Sequence, residues 1–107
     1  MRIQLITFPE CPHTPAARAV LRRVLASTGV TYAIEEVNTS ALGEHDPLRN
    51  WGSPTVLLDG EDVGGQSVPT GPNCRLYRSD EGNLQGVPPE SLITAAVQRA
   101  LTRTARA

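Results

Sequence analysis

The chain has 107 residues, 39% of them apolar, with 10 basic against 11 acidic side chains and a net charge of −1. This length suits a single domain, 1–107, with a core that needs no staples, and the balanced charge excludes an extended basic surface for nucleic acid or a disordered acidic tail. No stretch approaches the roughly 20 apolar residues of a membrane helix, and MRIQLITFPE is too short in its apolar part for a signal peptide, so the expected location is the cytoplasm, with no membrane and no nucleic-acid partner.

All the basic residues are arginine, which reads as coding bias and says little about mechanism. In a cytosolic chain a cysteine is reactive, metal-bound or packed more often than it is part of a permanent disulfide. The two cysteines, Cys11 and Cys74, therefore frame the functional question.

Ile3, Leu5, Ile6 and Phe8 form a short apolar run closed by Pro9, the pattern of a buried strand. From Thr14 the period changes. Ala16, Ala17, Val20, Leu21, Val24 and Leu25 make one helical stripe, with Arg18, Arg22 and Arg23 opposite. Thr14-Pro15 suits the first helical turn, and Gly29 a stop. Residues 31–37, TYAIEEV, read as a second strand, and such short connections predict a right-handed parallel crossover. Across 38–52, Gly43 and Pro47 prevent one clean helix, while Asp46-Pro47 opens a short one ending at Gly52. An apolar strand from Thr55 to Leu58, a turn at Asp59-Gly60 and a brief returning strand to Val63 predict a hairpin. Residues 64–88 are rich in Gly, Pro and polar side chains and lack periodicity. So long a stretch is uncommon in a compact domain and is often functional when ordered. A second helix runs from Pro89 to about Arg103, with the stripe Leu92, Ile93, Ala96, Val97, Ala100 and Leu101.

This order of elements resembles the thioredoxin fold in its small, glutaredoxin-like form: an α/β domain with a mixed four-stranded sheet, flanking helices and a long insert before the C-terminal helix. Three local signatures carry the resemblance. Cys11-Pro12-His13-Thr14 lies between the first strand and the first helix, Gly52-Ser53-Pro54-Thr55 opens the third strand, and Val63-Gly64-Gly65 follows the hairpin. The resemblance covers 1–63 and 89–103 and implies a thiol-dependent oxidoreductase. Cys11 would be the nucleophile, and Pro54 would follow a cis bond and face it. Ser53 would present an unpaired backbone edge to an extended thiol or disulfide substrate, protein or glutathione-like. Pro12, His13, Gly64 and Gly65 would complete the substrate site, with no cofactor. Thr14 stands where the family's redox motif has its second cysteine, which departs from the two-cysteine cycle.

The residues support that chemistry on their own terms. The thiolate is the nucleophile, and a helix start supplies unpaired N–H groups and partial positive charge. Thr14 can donate its hydroxyl to the sulfur, and a protonated His13 would add to the effect, whereas Glu10 opposes it. The plain alternative is a small packed cysteine, against which the flanking Pro9, Glu10, Pro12 and His13 argue. Gly64, Gly65 and Gln66 either offer N–H groups to a carboxylate or form a simple turn. Arg75 and Arg78 either hold that carboxylate or lie in solvent. Trp51 reads as packing and His45 as surface. Cys11, His13, His45 and Cys74 lack zinc spacing, so no metal site is expected. Cys74 either resolves a mixed disulfide on Cys11 or packs beside Leu76 and Tyr77. The reading from another class is a non-catalytic module that binds a partner or a soft metal such as mercury, as in small chains of similar Cys-Arg-x-Tyr sequence that carry an alkylmercury-lyase-like label.

Overall fold

The side-chain alternation of three strands sets the layers of the domain. The computed structural model describes residues 1–29, 31–69, 71 and 73–106, with side chains to 103; Thr70 and Pro72 of the insert lie outside the described residues. Strand β1 (Ile3–Thr7) pairs in parallel with β2 (Ile34–Asn38) and antiparallel with β3 (Thr55–Leu58). Strand β4 (Glu61–Asp62) extends the sheet from β3, giving the order β2-β1-β3-β4. Ile3 and Leu5 face one side with Val56 and Leu58, while Ile6 and Leu57 face the other, as a period of two requires.

Helices α1 (Thr14–Ala26) and α2 (Glu90–Arg106) cover the first face. Ala17, Leu21, Val24 and Leu25 meet Ile93, Ala96, Val97 and Ala100 there, together with Val63 of the hairpin. These are the centres of the two predicted stripes; Ala16 lies outside and Val20 at the margin. Trp51 and Val37 cover the second face, with Leu42 and Leu48 beside two short 3₁₀ turns, Thr39–Ala41 and Pro47–Asn50. The result is a small α/β domain with a mixed four-stranded sheet and two helices. Among the described residues no helix is long and apolar enough to cross a membrane.

Three expectations change in detail. The second strand begins at Ile34 rather than at residue 31, because its register starts opposite Ile3, the first residue of β1. The helix opened by Asp46 is a 3₁₀ turn ending at Asn50. Asp46 caps it, accepting the Leu48 N–H at 2.9 Å, and Trp51 then turns extended so that its ring enters the core. The insert is not structureless. It carries a second hairpin, β5 (Tyr77–Arg78) with β6 (Leu84–Gln85), turned at Gly82 with φ +88°.

What ties the insert to the sheet is polar. Arg75 donates to both carboxylate oxygens of Asp62, at 2.7 and 2.6 Å, and to Thr55 Oγ1 at 3.1 Å. The Arg75 and Asp62 side chains are 5% and 0% exposed. The guanidinium carbon lies 4.6 Å from the Tyr77 ring centroid, a cation–π distance. Gly64 makes room for the pair, since a Cβ there would sit 2.4 Å from Arg75 Nη2 and 3.0 Å from Asp62 Oδ2.

A buried pair costs much desolvation, so its loss is most damaging when only one partner goes. Asp62→Ala is expected to lower stability by about 3–5 kcal/mol. The double variant Asp62→Leu/Arg75→Met should recover most of it, measured as urea unfolding midpoints with constant slope.

Candidate active site

Cys11 sits on the tight link from β1 to α1. Pro9 ends the strand, and Glu10 adopts φ +68°, a left-handed conformation uncommon outside glycine. That reversal lets the Cys11 N–H donate to the Phe8 carbonyl at 3.3 Å and delivers Cys11 to the start of the helix. His13 occupies the cap position of α1 without a side-chain capping bond. The Thr14 N–H makes only a long bond, 3.4 Å, to the Cys11 carbonyl, so this helix start still favours another acceptor.

That acceptor is sulfur. Burial pushes the Cys11 thiol up, but donation from the Ser53 and Thr14 hydroxyls and from the backbone of His13 and Thr14 outweighs it, and the net shift is downward. Thr14 Oγ1 and Ser53 Oγ are buried, and neither has a partner in full hydrogen-bond geometry. The two facts agree if a neutral thiol is a poor acceptor and a thiolate a good one. The two buried hydroxyls beside the sulfur therefore favour its ionised form. Ser53 was predicted as a substrate-docking residue; its hydroxyl serves Cys11 as well.

The Ser53–Pro54 peptide is cis, and Pro54 is fully buried. The expectation of a free backbone edge at Ser53 is corrected. The Ser53 N–H donates to the Asn73 carbonyl at 3.1 Å, and its carbonyl accepts from the Arg75 N–H at 2.9 Å. A strap of the insert, 73–75, therefore runs alongside Ser53. Gly52 permits the approach, because a Cβ there would meet Asn73 O at 2.7 Å. Tyr77 fastens the strap further by donating its hydroxyl to the Pro54 carbonyl. Burial pushes the Tyr77 phenol up, so it stays a donor at neutral pH.

Cys11 is itself only 7% exposed, although its Pro- and charge-rich neighbours in sequence predict an open position. Ser53, 1% exposed, lies against it from a distant part of the chain. Pro12 stays exposed beside it. His13 packs its ring on Gly86 near the end of the insert, where a Cβ would lie 2.3 Å from the imidazole.

Gly64 and Gly65 lie one hairpin away, and the N–H groups of Gly65 and Gln66 are occupied in this conformation. Gly65 donates to the Asp62 carbonyl and Gln66 to the Asp62 carboxylate, each at 3.0 Å. Arg75 is committed to that same carboxylate, while Arg78 is exposed and donates to the Gly82 carbonyl. Cys74 is exposed and free. Leu76 beside it is 60% exposed, so Arg75 and Tyr77, not Cys74, hold the insert. Trp51 is core and His45 is exposed. Among the described residues no three His, Cys, Asp or Glu side chains converge on a metal-sized site. Sequence reasoning missed Asp62, Arg75 and Tyr77 as the frame of the site. Their pairing joins residues far apart along the chain, which local spacing does not show.

No known protein family, curated protein or solved structure matches the chain.

The alkylation rate of Cys11 by iodoacetamide should rise with pH through a midpoint below the free-thiol value of about 8.5. Ser53→Ala and Thr14→Val should each move that midpoint upward, because each removes a donor to the thiolate. The sign carries over to stability. A lowered folded-state value stabilises the fold fully above the free-thiol pKa, and the gain is lost as pH falls through the lowered value. The stability advantage of the native chain over Cys11→Ala should therefore grow with pH across that window, read from urea midpoints.

Proposed function

We propose that the protein is a thiol–disulfide oxidoreductase built on a thioredoxin-like plan, with Cys11 as its nucleophile. One observation carries this reading: two buried hydroxyls without full partners and an uncapped helix start converge on a single sulfur. A packing cysteine has no use for two buried donors aimed at it, each of which costs about 1–3 kcal/mol when left without a partner. A thiolate that attacks a disulfide does use them, because they hold its charge before the attack. The cis Ser53–Pro54 bond beside Cys11 and the β-α-β order of the first half are in keeping with that family plan.

In this reading Cys11 attacks one sulfur of a disulfide and forms a mixed disulfide with half of it. Thr14 and Ser53 hold the thiolate, while Pro12 and His13 border the approach. The burial of Cys11 favours one second reading, a binding module in which the cysteine only packs.

Reduction of a small disulfide such as 2-hydroxyethyl disulfide, followed through consumption of the supporting thiol, separates the two. Cys11→Ser should drop the rate to the uncatalysed background, while Thr14→Val should slow it chiefly below the free-thiol pKa. A native chain no faster than background would leave only the module.

A further inference from the structure

The strap carries a residue that the packing of the domain does not need. Arg75 anchors it and Tyr77 follows in the core, yet Cys74 between Asn73 and Arg75 is exposed and belongs to neither apolar cluster. Its backbone nevertheless lies directly opposite Ser53 in a parallel bridge. Paired residues in such a bridge sit about 4.8 Å apart and carry their side chains on the same side. The Ser53 hydroxyl lies against the Cys11 sulfur and favours its ionised form. One residue thus stands between the two thiols, its hydroxyl beside Cys11 and its backbone opposite Cys74.

We propose that Cys74 is the in-chain resolving thiol of Cys11, and that the substrate is a small disulfide rather than an extended polypeptide. The proposal rests on the oxidoreductase reading above. In the first step the Cys11 thiolate attacks one sulfur of RS–SR, the S–S bond breaks, and RS⁻ leaves with the electron pair and takes a proton from water. In the second, Cys74 gives its proton to solvent and attacks Cys11 Sγ. The second RS⁻ departs and a Cys11–Cys74 disulfide remains. The substrate gains two electrons and the two cysteines lose them. A low-molecular-weight thiol then reduces the chain by the reverse exchange, which releases its own disulfide.

The size limit follows from the same bridge. An extended peptide binds beside a strand by pairing with free N–H and C=O groups. Both groups of Ser53 are already taken by Asn73 and Arg75, and the strap is held by the buried Arg75–Asp62 pair. A small disulfide needs no such edge. Closing the bond requires the two Cα atoms within about 7 Å, and Cys74 is held opposite Ser53, which lies against Cys11.

The experiment treats the full reduced chain with a single excess of 5,5′-dithiobis(2-nitrobenzoate), counts released thiolate by absorbance and weighs the product by mass spectrometry. The native chain should release two thiolates, lose two hydrogens in mass and yield a linked Cys11–Cys74 peptide. Cys74→Ser should release one and keep an adduct on Cys11. A native chain that keeps an adduct on Cys11 with Cys74 free, or adducts on both, overturns the proposal while the oxidoreductase reading stands. Failure of Cys11 to react in both chains overturns that reading itself. An extended peptide disulfide that reacts with Cys11 as fast as the small reagent overturns the size limit.

Discussion

A guanidinium and a carboxylate, both out of solvent, join the insert to the sheet, and the geometry around Cys11 depends on that join. Asp62 comes from β4 and Arg75 from the strap, and Thr55 at the start of β3 accepts from the same guanidinium. Because Arg75 is fixed, its backbone N–H reaches the Ser53 carbonyl, and the residue before it is held opposite Ser53. Two glycines are set by this packing. Gly64 leaves room for the guanidinium, and Gly52 leaves room for the strap's backbone. A pair of this kind adds little net stability against an apolar replacement. Its direction and geometry do something an apolar contact cannot, since they fix one register of the strap on the cis-proline loop.

The site and the frame both rest on buried polar groups. In the frame the two guanidinium nitrogens that face Asp62 are satisfied and Tyr77 finds the Pro54 carbonyl, while Arg75 Nε is buried without a partner. At Cys11 two buried hydroxyls also lack a partner in full hydrogen-bond geometry. Buried donors without acceptors are rare in folded proteins, and at Cys11 the two hydroxyls favour the ionised sulfur. The left-handed Glu10 next to the cysteine belongs with them, as backbone outliers gather where a side chain must be aimed.

The contrast between the two faces of the sheet explains why the strap matters. One face is closed by α1 and α2 with interlocking apolar stripes. The other is closed by Trp51 and by side chains beside short turns. Trp51 also lies within 6.0 Å of the Arg75 guanidinium, so the smaller core and the polar join meet at the edge of the Ser53 loop.

Much of the fold was readable from the amino acids alone. The strand at Thr55–Leu58, the hairpin at Asp59-Gly60, the Asp46 cap and the two helical stripes rest on spacing within a few residues, and local spacing is what a sequence displays. The cysteine ahead of a helix and the proline opening β3 were legible for the same reason. The burial of Cys11, the occupied edge of Ser53 and the place of Cys74 were not. The occupied edge of Ser53 and the place of Cys74 depend on Asp62 meeting Arg75, thirteen residues away along the chain, and on Asn73 meeting Ser53 across a polar insert. In such a segment, Gly-, Pro- and Asn-rich residues give the same pattern whether the chain floats in solvent or lies against a sheet. Periodicity records which side of a strand or helix is apolar, but a polar strap is held by a few directed bonds to distant partners. Only the tertiary structure chooses those partners.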